Sequence, residues 1–485
     1  MPTHLPSSAA ALALGEAAPV HGALPMALLG LVMCVTYALI ATGRMHKVTA
    51  ALTGGIVCTV IALATGVLHD YDAVHVILTK DIGVLGVIVG TSILVDISGR
   101  SGLFQFLAIK IAKRAKGDPE RLFAALCALT VAFVSLLTIA PGTLIVASLA
   151  LVLCRTLSLD PRPYLIGVAL CANSGALVTF ASGICTLMVG TAAGLPYLQF
   201  FIVSTPVALL TAGVAWAVVR RAYRGVLRAA PAAAPGLDAE TARAAAAEQR
   251  ATAVAAYDEW ALVTDRRLFF RSALLLAGTV IGFALAQPLG VGLDFIAMSG
   301  GAAAILFSGQ DPEEAIRKVN WTVILFFVGL FVMIGAVEHS GLLQSAAGGL
   351  TSITGGNIYV AVVVLVLFVA VTSGVMDNIP VAATMVPIVT TMTATLPAAP
   401  LWWSLVLAAN LGGNGTPIGS ISGVIALSAL VEGGGQKVGW GEWFRVGGLT
   451  LILQLLVVLA WVLLFTGFDL FPALPQLSAG AAPAH

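Results

Sequence analysis

Charge is what this sequence has least of. Of its 485 residues only 10% are charged, 24 Lys or Arg against 23 Asp or Glu, for a formal net charge of +1. That sparse balance excludes the basic face a nucleic-acid binder needs and the polar surface a soluble fold of this size needs. Cysteine is scarce as well. Cys34, Cys58, Cys127, Cys154, Cys171 and Cys185 each fall in or at the end of an apolar segment, so they read as small buried hydrophobes and not as a disulfide framework or a metal cluster. Residues 1–25 contain neither Lys nor Arg nor a convincing apolar core, which argues against a signal peptide and for a loose extracytoplasmic tail. No His/Glu metal cluster and no nucleophile with an adjacent base stands out, so the reading is that this is not an enzyme and has no resident cofactor.

What is abundant is apolar sequence. Hydrophobic residues make up 59% of the chain and the mean hydropathy is +1.01. Apolar segments of about 20 residues, the length that crosses roughly 30 Å of hydrocarbon as a helix, recur throughout. The pattern predicts helices at 26–43, 48–68, 81–98, 121–153, 164–190, 198–219, 267–286, 290–308, 321–337, 357–397, 401–428 and 443–467. Two of these, 121–153 and 357–397, exceed one crossing and are interrupted by "IAPGT" and "SGVMDNIP". Pro and Gly there break the hydrogen-bond ladder, which a bilayer tolerates only where the freed backbone is buried in protein or lines a cavity. Each therefore reads as a re-entrant hairpin.

Counted as ten crossings and two hairpins, the chain sorts its basic residues onto one side, with both termini outside. Only Lys80 of the 24 Lys and Arg falls extracytoplasmic, as expected for a multi-pass protein of the cytoplasmic membrane. The organisation expected is a tail at 1–25, a first repeat with scaffold helices at 26–219, a cytoplasmic linker at 220–266, a second repeat at 267–467 and a tail at 468–485. The repeat is visible directly: "VGTSILVDISGRSGLFQ" from 89 aligns with "VGLFVMIGAVEHSGLLQ" from 328 at an offset of 239. Ser135 aligns with Ser373 at 238, and Asn173 and Thr179 with Asn410 and Thr416 at 237. Under the topology above the two copies run in opposite directions. Inverted repeats with helices broken at matching positions mark a secondary transporter, whose site is expected near the midplane. An ion channel-like permease is the alternative.

Asp377 is the residue this architecture must explain, because an ionisable group inside a membrane costs several kcal/mol (about 3 or more) and is by default functional. It reads as a proton- or cation-coupling carboxylate, or as a cap on the second hairpin arm with Asn378 assisting. Ser373 precedes it at the tip. The facing segment "AANLGGNGTPIGSISG" supplies Asn410, Gly412, Gly413, Asn414, Thr416 and Gly419, which suit an unwound, carbonyl-rich pocket for a hard cation. The first half offers Thr143, Asn173, Ser174, Thr179 and Ser182, and has Ile139 and Ala140 where the second has Asp377 and Asn378. Asn410, Thr416, Asn173 and Thr179 are candidate Na⁺ ligands. Asp96 and Arg100, one turn apart, read as a structural ion pair, and Glu338 and His339 as interfacial.

The stretches "KVNWTVILFFVGLFVMIGAVEHSGLL", "SGVMDNIPVAATMVPIV" and "LWWSLVLAANLGGNGTPIGSISGVI" resemble the ion transporter superfamily, in its group of arsenite permeases, NhaD-type sodium/proton antiporters and pink-eyed-dilution permeases. The resemblance spans residues 30–467. More distantly the chain is similar to the divalent anion/sodium symporters. It implies a scaffold and a mobile transport domain, elevator motion and a homodimer. It places the family's hairpin Asp-Asn on Asp377 and Asn378, and its glycine-rich motif on Asn410, Gly412, Gly413, Thr416 and Gly419. In the first half the family has Asp-Asn at Ile139 and Ala140, and Gly-Asp-Pro-Pro-Asn at 182–186. The function expected is secondary active transport of a small ion, coupled to Na⁺ or H⁺. Na⁺/H⁺ antiport and movement of arsenite or a dicarboxylate are the candidates.

Overall fold

The computed structural model describes residues 22–472 except Asp81, Ala181, 229–247, Tyr257, Leu262, Thr264, Gly435 and Gln436. The two tails, residues 229–247 of the linker and the side chain of Lys80 lie outside the described residues. All regular structure among the described residues is helical, as a bilayer demands of a chain whose backbone groups must bond internally.

In chain order the helices are α1 (Ala23–Ala41), α2 (Lys47–Ala64), α3 (Asp72–Lys80), α4 (Ile82–Arg100), α5 (Leu103–Arg114), α6 (Pro119–Leu137), α7 (Ile139–Thr156), α8 (Arg162–Gly175), α9 (Ile184–Ala192) and α10 (Tyr197–Ala222). The second half repeats them as α11 (Arg266–Leu285), α12 (Leu293–Ser308), α13 (Trp321–His339), α14 (Leu342–Thr354), α15 (Ile358–Val375), α16 (Asn378–Met392), α17 (Ala398–Gly412), α18 (Ile421–Gly434) and α19 (Trp440–Gly467). Ten are long and apolar enough to cross a membrane. They are not the ten crossings read from sequence: both arms of the first broken segment and the first arm of the second qualify, whereas 164–190 and 401–428 each divide into two shorter helices and Leu293–Ser308 is shorter than a full crossing. Helices α3, α5 and α14, and the short helical turns Arg224–Leu227 and Pro312–Arg317, escaped the sequence reading because they are short or amphipathic. In α5 a buried face of Phe104, Phe106, Ala108 and Ala112 ends in Lys113 and Arg114.

The internal repeat is a repeat of packing. Helix α4 lies on α12 and α2 on α13; α6 packs on α8 as α15 does on α17; α18 covers α7 and α8 as α9 covers α16 and α17. The shared Ser-Gly-Leu has a local purpose. The Ser101 hydroxyl donates to Ser98 O at 2.7 Å and accepts from Leu103 N at 3.3 Å, while Gly102 turns the chain at φ 79°. Ser340, Leu342 and Gly341, φ 82°, build the same corner. Only glycine takes that left-handed angle without a Cβ penalty.

Two groups of helices result. One contains α1 to α4 with α11 to α13, the other contains α6 to α10 with α15 to α19, and α5 and α14 bridge the two, α14 packing on α15 and α16 as well as on α13. The first is knit by glycine crossings, where backbones touch as in other membrane helix pairs. A Cβ on Gly90 would lie 2.2 Å from the Ala297 carbonyl, and one on the repeat-related Gly329 would lie 2.6 Å from that of Ala51. Large apolar side chains such as Ile56, Leu274, Leu306 and Val371 are exposed around the outside, the positions lipid would cover. Of the six cysteines, all free, only Cys34 is exposed, which corrects the expectation that each is buried.

Candidate functional site

Both broken segments fold into helix pairs, and the two breaks differ by one residue. In the second, Met376 (φ −115°, ψ 162°) and Asp377 (φ −60°, ψ 146°) carry the chain from α15 to α16. In the first, Thr138 alone joins α6 to α7, at φ 84° and ψ 167°. One residue there spans what two span in the other copy, so a β-branched side chain is held in a backbone region that is essentially glycine's. The equivalences shift accordingly. Ser135 still matches Ser373, but Pro141 matches Pro380 at an offset of 239, so Asn378 corresponds to Ile139, and Asp377 falls where the first half has the shorter turn. This corrects the pairing of Asp377 with Ile139 and Asn378 with Ala140. Strain predicts a stability change: Thr138→Gly should raise the melting temperature in detergent. Relief of about 1–3 kcal/mol outweighs the roughly 0.5–1 kcal/mol glycine loses to unfolded-state freedom. Melting at or below wild type would show that Thr138 is not strained.

The two breaks meet. A cavity of about 290 Å³ is lined by Thr138, Ile139 and Pro141 from the first and by Asp377, Asn378 and Ile379 from the second. Thr91, Ser92 and Asp96 of α4 line it too, with Ile184 and Cys185 of α9 and Lys318 and Asn320 ahead of α13. Lys318 and Asn320 are exposed and mark its mouth. The walls therefore come from both helix groups.

Asp377 is the N-cap residue of α16, yet its side chain makes no capping hydrogen bond; the capping role is not the one seen. Its carboxylate instead faces Lys47 Nζ at 3.9 Å. In sequence Lys47 is one of the basic residues sorted to one side, and the fold brings its charge to the cavity carboxylate. Asp96 does pair with Arg100, Nε to Oδ2 at 2.9 Å, and it also faces the cavity. Arg100 in turn reaches Glu314 at 2.6 Å.

Of the residues nominated from sequence, Asp377 and Asn378 line the cavity and the rest stand behind it. Ser373 donates to Asn378 Oδ1 at 2.8 Å and to Ala409 O at 2.6 Å, and Asn378 Nδ2 donates to Asn410 O at 3.4 Å. Thr416 donates to Gly374 O at 2.6 Å, and its repeat counterpart Thr179 donates to Ser135 O at 2.9 Å. Each hydroxyl thus ties an unwound segment to the first arm of its own hairpin. Gly412, Gly413 and Gly419 let that approach happen: a Cβ on Gly412 would meet Ala370 O at 2.6 Å, and one on Gly419 would meet Gly374 O at 2.8 Å.

Asn414 points elsewhere. It accepts from Asn173 Nδ2 at 2.8 Å and donates to Gln454 Oε1 at 2.8 Å, while Gln454 Nε2 reaches Ser174 at 3.4 Å. Ser420 and Ser422 complete this buried network. Ser182 donates to Ala176 O and Thr179 O at 2.7 and 2.6 Å. Asn410 Nδ2 donates to Thr186 Oγ1 at 3.1 Å, but Asn410 Oδ1 is buried with no hydrogen-bond partner, as is Thr143 Oγ1. Those two oxygens keep lone pairs free for a cation. Of the four candidate Na⁺ ligands, Thr416 and Thr179 donate their protons to carbonyls and keep their oxygen lone pairs, while Asn173 belongs to the Asn414 network. Thr91, Ser92, Lys318 and Asn320 were missed; the first two sit inside the repeated stretch, which was the available signal.

The citrate transporter family matches residues 37–408. A 46 kDa membrane protein of Mycobacterium leprae is 28% identical over 429 residues, covering 87% of this chain and 95% of its own. An uncharacterized transporter of Mycobacterium tuberculosis is 29% identical over 445 residues, covering 90% and 97%. The P protein of Homo sapiens is 26% identical over 497 residues, covering 89% of this chain and 59% of that protein. In fold, the crystal structure of the Alcanivorax borkumensis YdaH transporter is similar, with a TM-score of 0.54 at 18% identity over 83% of this chain and 91% of that one.

Proposed function

This chain belongs to the citrate transporter family and is a multi-pass membrane transporter, and we propose that it moves a small carboxylate anion by alternating access, coupled to Na⁺ or H⁺ at Asp377. The observation that carries the reading is the convergence of both chain breaks, some 240 residues apart in sequence, on one cavity holding that carboxylate. The Asp377 carboxylate on its wall disfavours a bare anion, so the anion enters with a cation, which that carboxylate attracts. The α6 to α10 and α15 to α19 group is the moving part, an elevator against the other group, with the breaks as re-entrant hairpins. The mouth at Lys318 lies on the side where the basic residues gather, so the conformation described is open to the cytoplasm, in a cytoplasmic membrane with both termini outside. A homodimer fits the scaffold's exposed apolar flank.

Flux into proteoliposomes with imposed Na⁺ and pH gradients tests this, screening citrate, shorter dicarboxylates, arsenite and Na⁺. Citrate-class accumulation above equilibrium is expected. Sodium movement driven by pH without any carboxylate would replace this cargo by antiport, and flux that never exceeds equilibrium would replace the carrier by a channel.

A further inference from the structure

We infer that Lys47 is a tethered cation that competes with the coupled ion for Asp377, and so latches the two helix groups together until that ion arrives. The inference rests on the reading of Asp377 as the coupling carboxylate.

The argument is one of charge placement across a boundary. Lys47 is the first residue of α2, which is fixed to α13 by the Gly55–Gly329 backbone contact. Asp377 sits at the tip between α15 and α16, in the other group. Of the two acids on the cavity wall, Asp96 is neutralised by Arg100 from its own helix. Asp377 is matched only from across the divide: among the described residues Lys47 is the cation within 4 Å of it. Its side chain makes no capping hydrogen bond to α16, and the hydroxyls of Ser373 and Thr416 donate to other protein oxygens.

At 3.9 Å the pair is an ion pair without hydrogen-bond contact, and both side chains keep some exposure, 30% for Lys47 and 22% for Asp377. Such a pair is weak enough to be displaced. The ammonium also lies 5.9 Å from the centroid of the Phe326 ring on α13, which gives it a resting place within the scaffold when it lets go. Movement of one group past the other must separate Asp377 from Lys47. Carrying a bare carboxylate through the boundary is costly, so the movement favours a carrier whose Asp377 holds an ion instead. Lys47 thereby discourages movement of the unloaded protein, which is the condition for tight coupling.

The test is thermal unfolding of the purified full-length protein, titrated with NaCl against choline chloride at constant ionic strength, and separately with pH. Removing a cation from beside a carboxylate strengthens its hold on another cation by about tenfold. Lys47→Gln should therefore reach half-maximal stabilisation at roughly a tenth of the wild-type Na⁺ concentration. If protons are the coupled ion, the pH midpoint should move about one unit toward alkaline. Asp96, which pairs with Arg100, and Lys318 and Cys185 line the same cavity as Asp377 and are left in place. Lys47→Arg keeps the charge and should titrate like wild type. If wild type responds, Asp377→Asn does not, and Lys47→Gln keeps the wild-type midpoint, the competition is overturned while the coupling reading stands. If wild type and Asp377→Asn melt alike under every condition, both fall.

Discussion

Asp377→Asn should abolish accumulation of substrate against its gradient in proteoliposomes while leaving the protein folded. The carboxylate is the acid shared by the hairpin tip and the cavity wall, and its loss should weaken cation binding by at least roughly 10- to 100-fold, the range seen even for outer partners of a bound cation. The pH dependence of flux should flatten with it. Stability separates this from a capping role. A cap would make Asp377→Ala less stable than Asp377→Asn by about 1 kcal/mol, but no capping bond exists here, so the two variants should melt within about 0.5 kcal/mol of each other. Wild-type accumulation in Asp377→Asn would end the coupling role and move attention to Asp96. A clear gap in melting between Asn and Ala would restore the cap.

Gly90→Val and Gly329→Val should each prevent assembly of the protein, the largest structural effect expected of any single change. At both sites the neighbour is backbone, Ala297 at 2.2 Å and Ala51 at 2.5 Å from the added Cβ, and backbone cannot rotate aside as a side chain can. The helices would have to separate, at about 1–3 kcal/mol or more for overpacking together with the contacts that hold the two halves of the chain to each other. The measurement is yield and monodispersity in size-exclusion chromatography. Gly278→Ala is the control: nothing lies within 4 Å of its Cβ, so it should gain the roughly 0.5–1 kcal/mol by which alanine favours a helix. A Gly90→Val protein that elutes and melts like wild type would show that the crossing does not need its glycine.

The sequence determined a good deal alone. Its lack of charge fixed the solvent, because no soluble chain leaves so much apolar surface uncovered. The offset of 239 foretold that α4 and α13 play matching parts, and the Ser-Gly-Leu within it proved to be a corner that needs a hydroxyl and a left-handed glycine. Asp377 stood out because a carboxylate in an apolar run is costly wherever it lies. Boundaries were less legible: the amphipathic α5 and α14 lack the uniform apolarity by which crossings are found.

Only the tertiary structure decided which polar residues face the cavity and which hold it in shape. Ser373, Thr416, Asn414 and Gln454 are as polar in sequence as Asn378, but their hydrogen bonds run to helices up to 280 residues away, and no local pattern records a partner so distant. The same holds for Lys47. In sequence it is a basic residue beside His46 at a helix end, one more sign of sidedness. Its charge acquires meaning only because α2 crosses α13 through glycine and brings it, from 330 positions away, to within 3.9 Å of Asp377. Strain at Thr138 likewise could not be read from the residues themselves, since it comes from one residue closing a gap that two close in the other half.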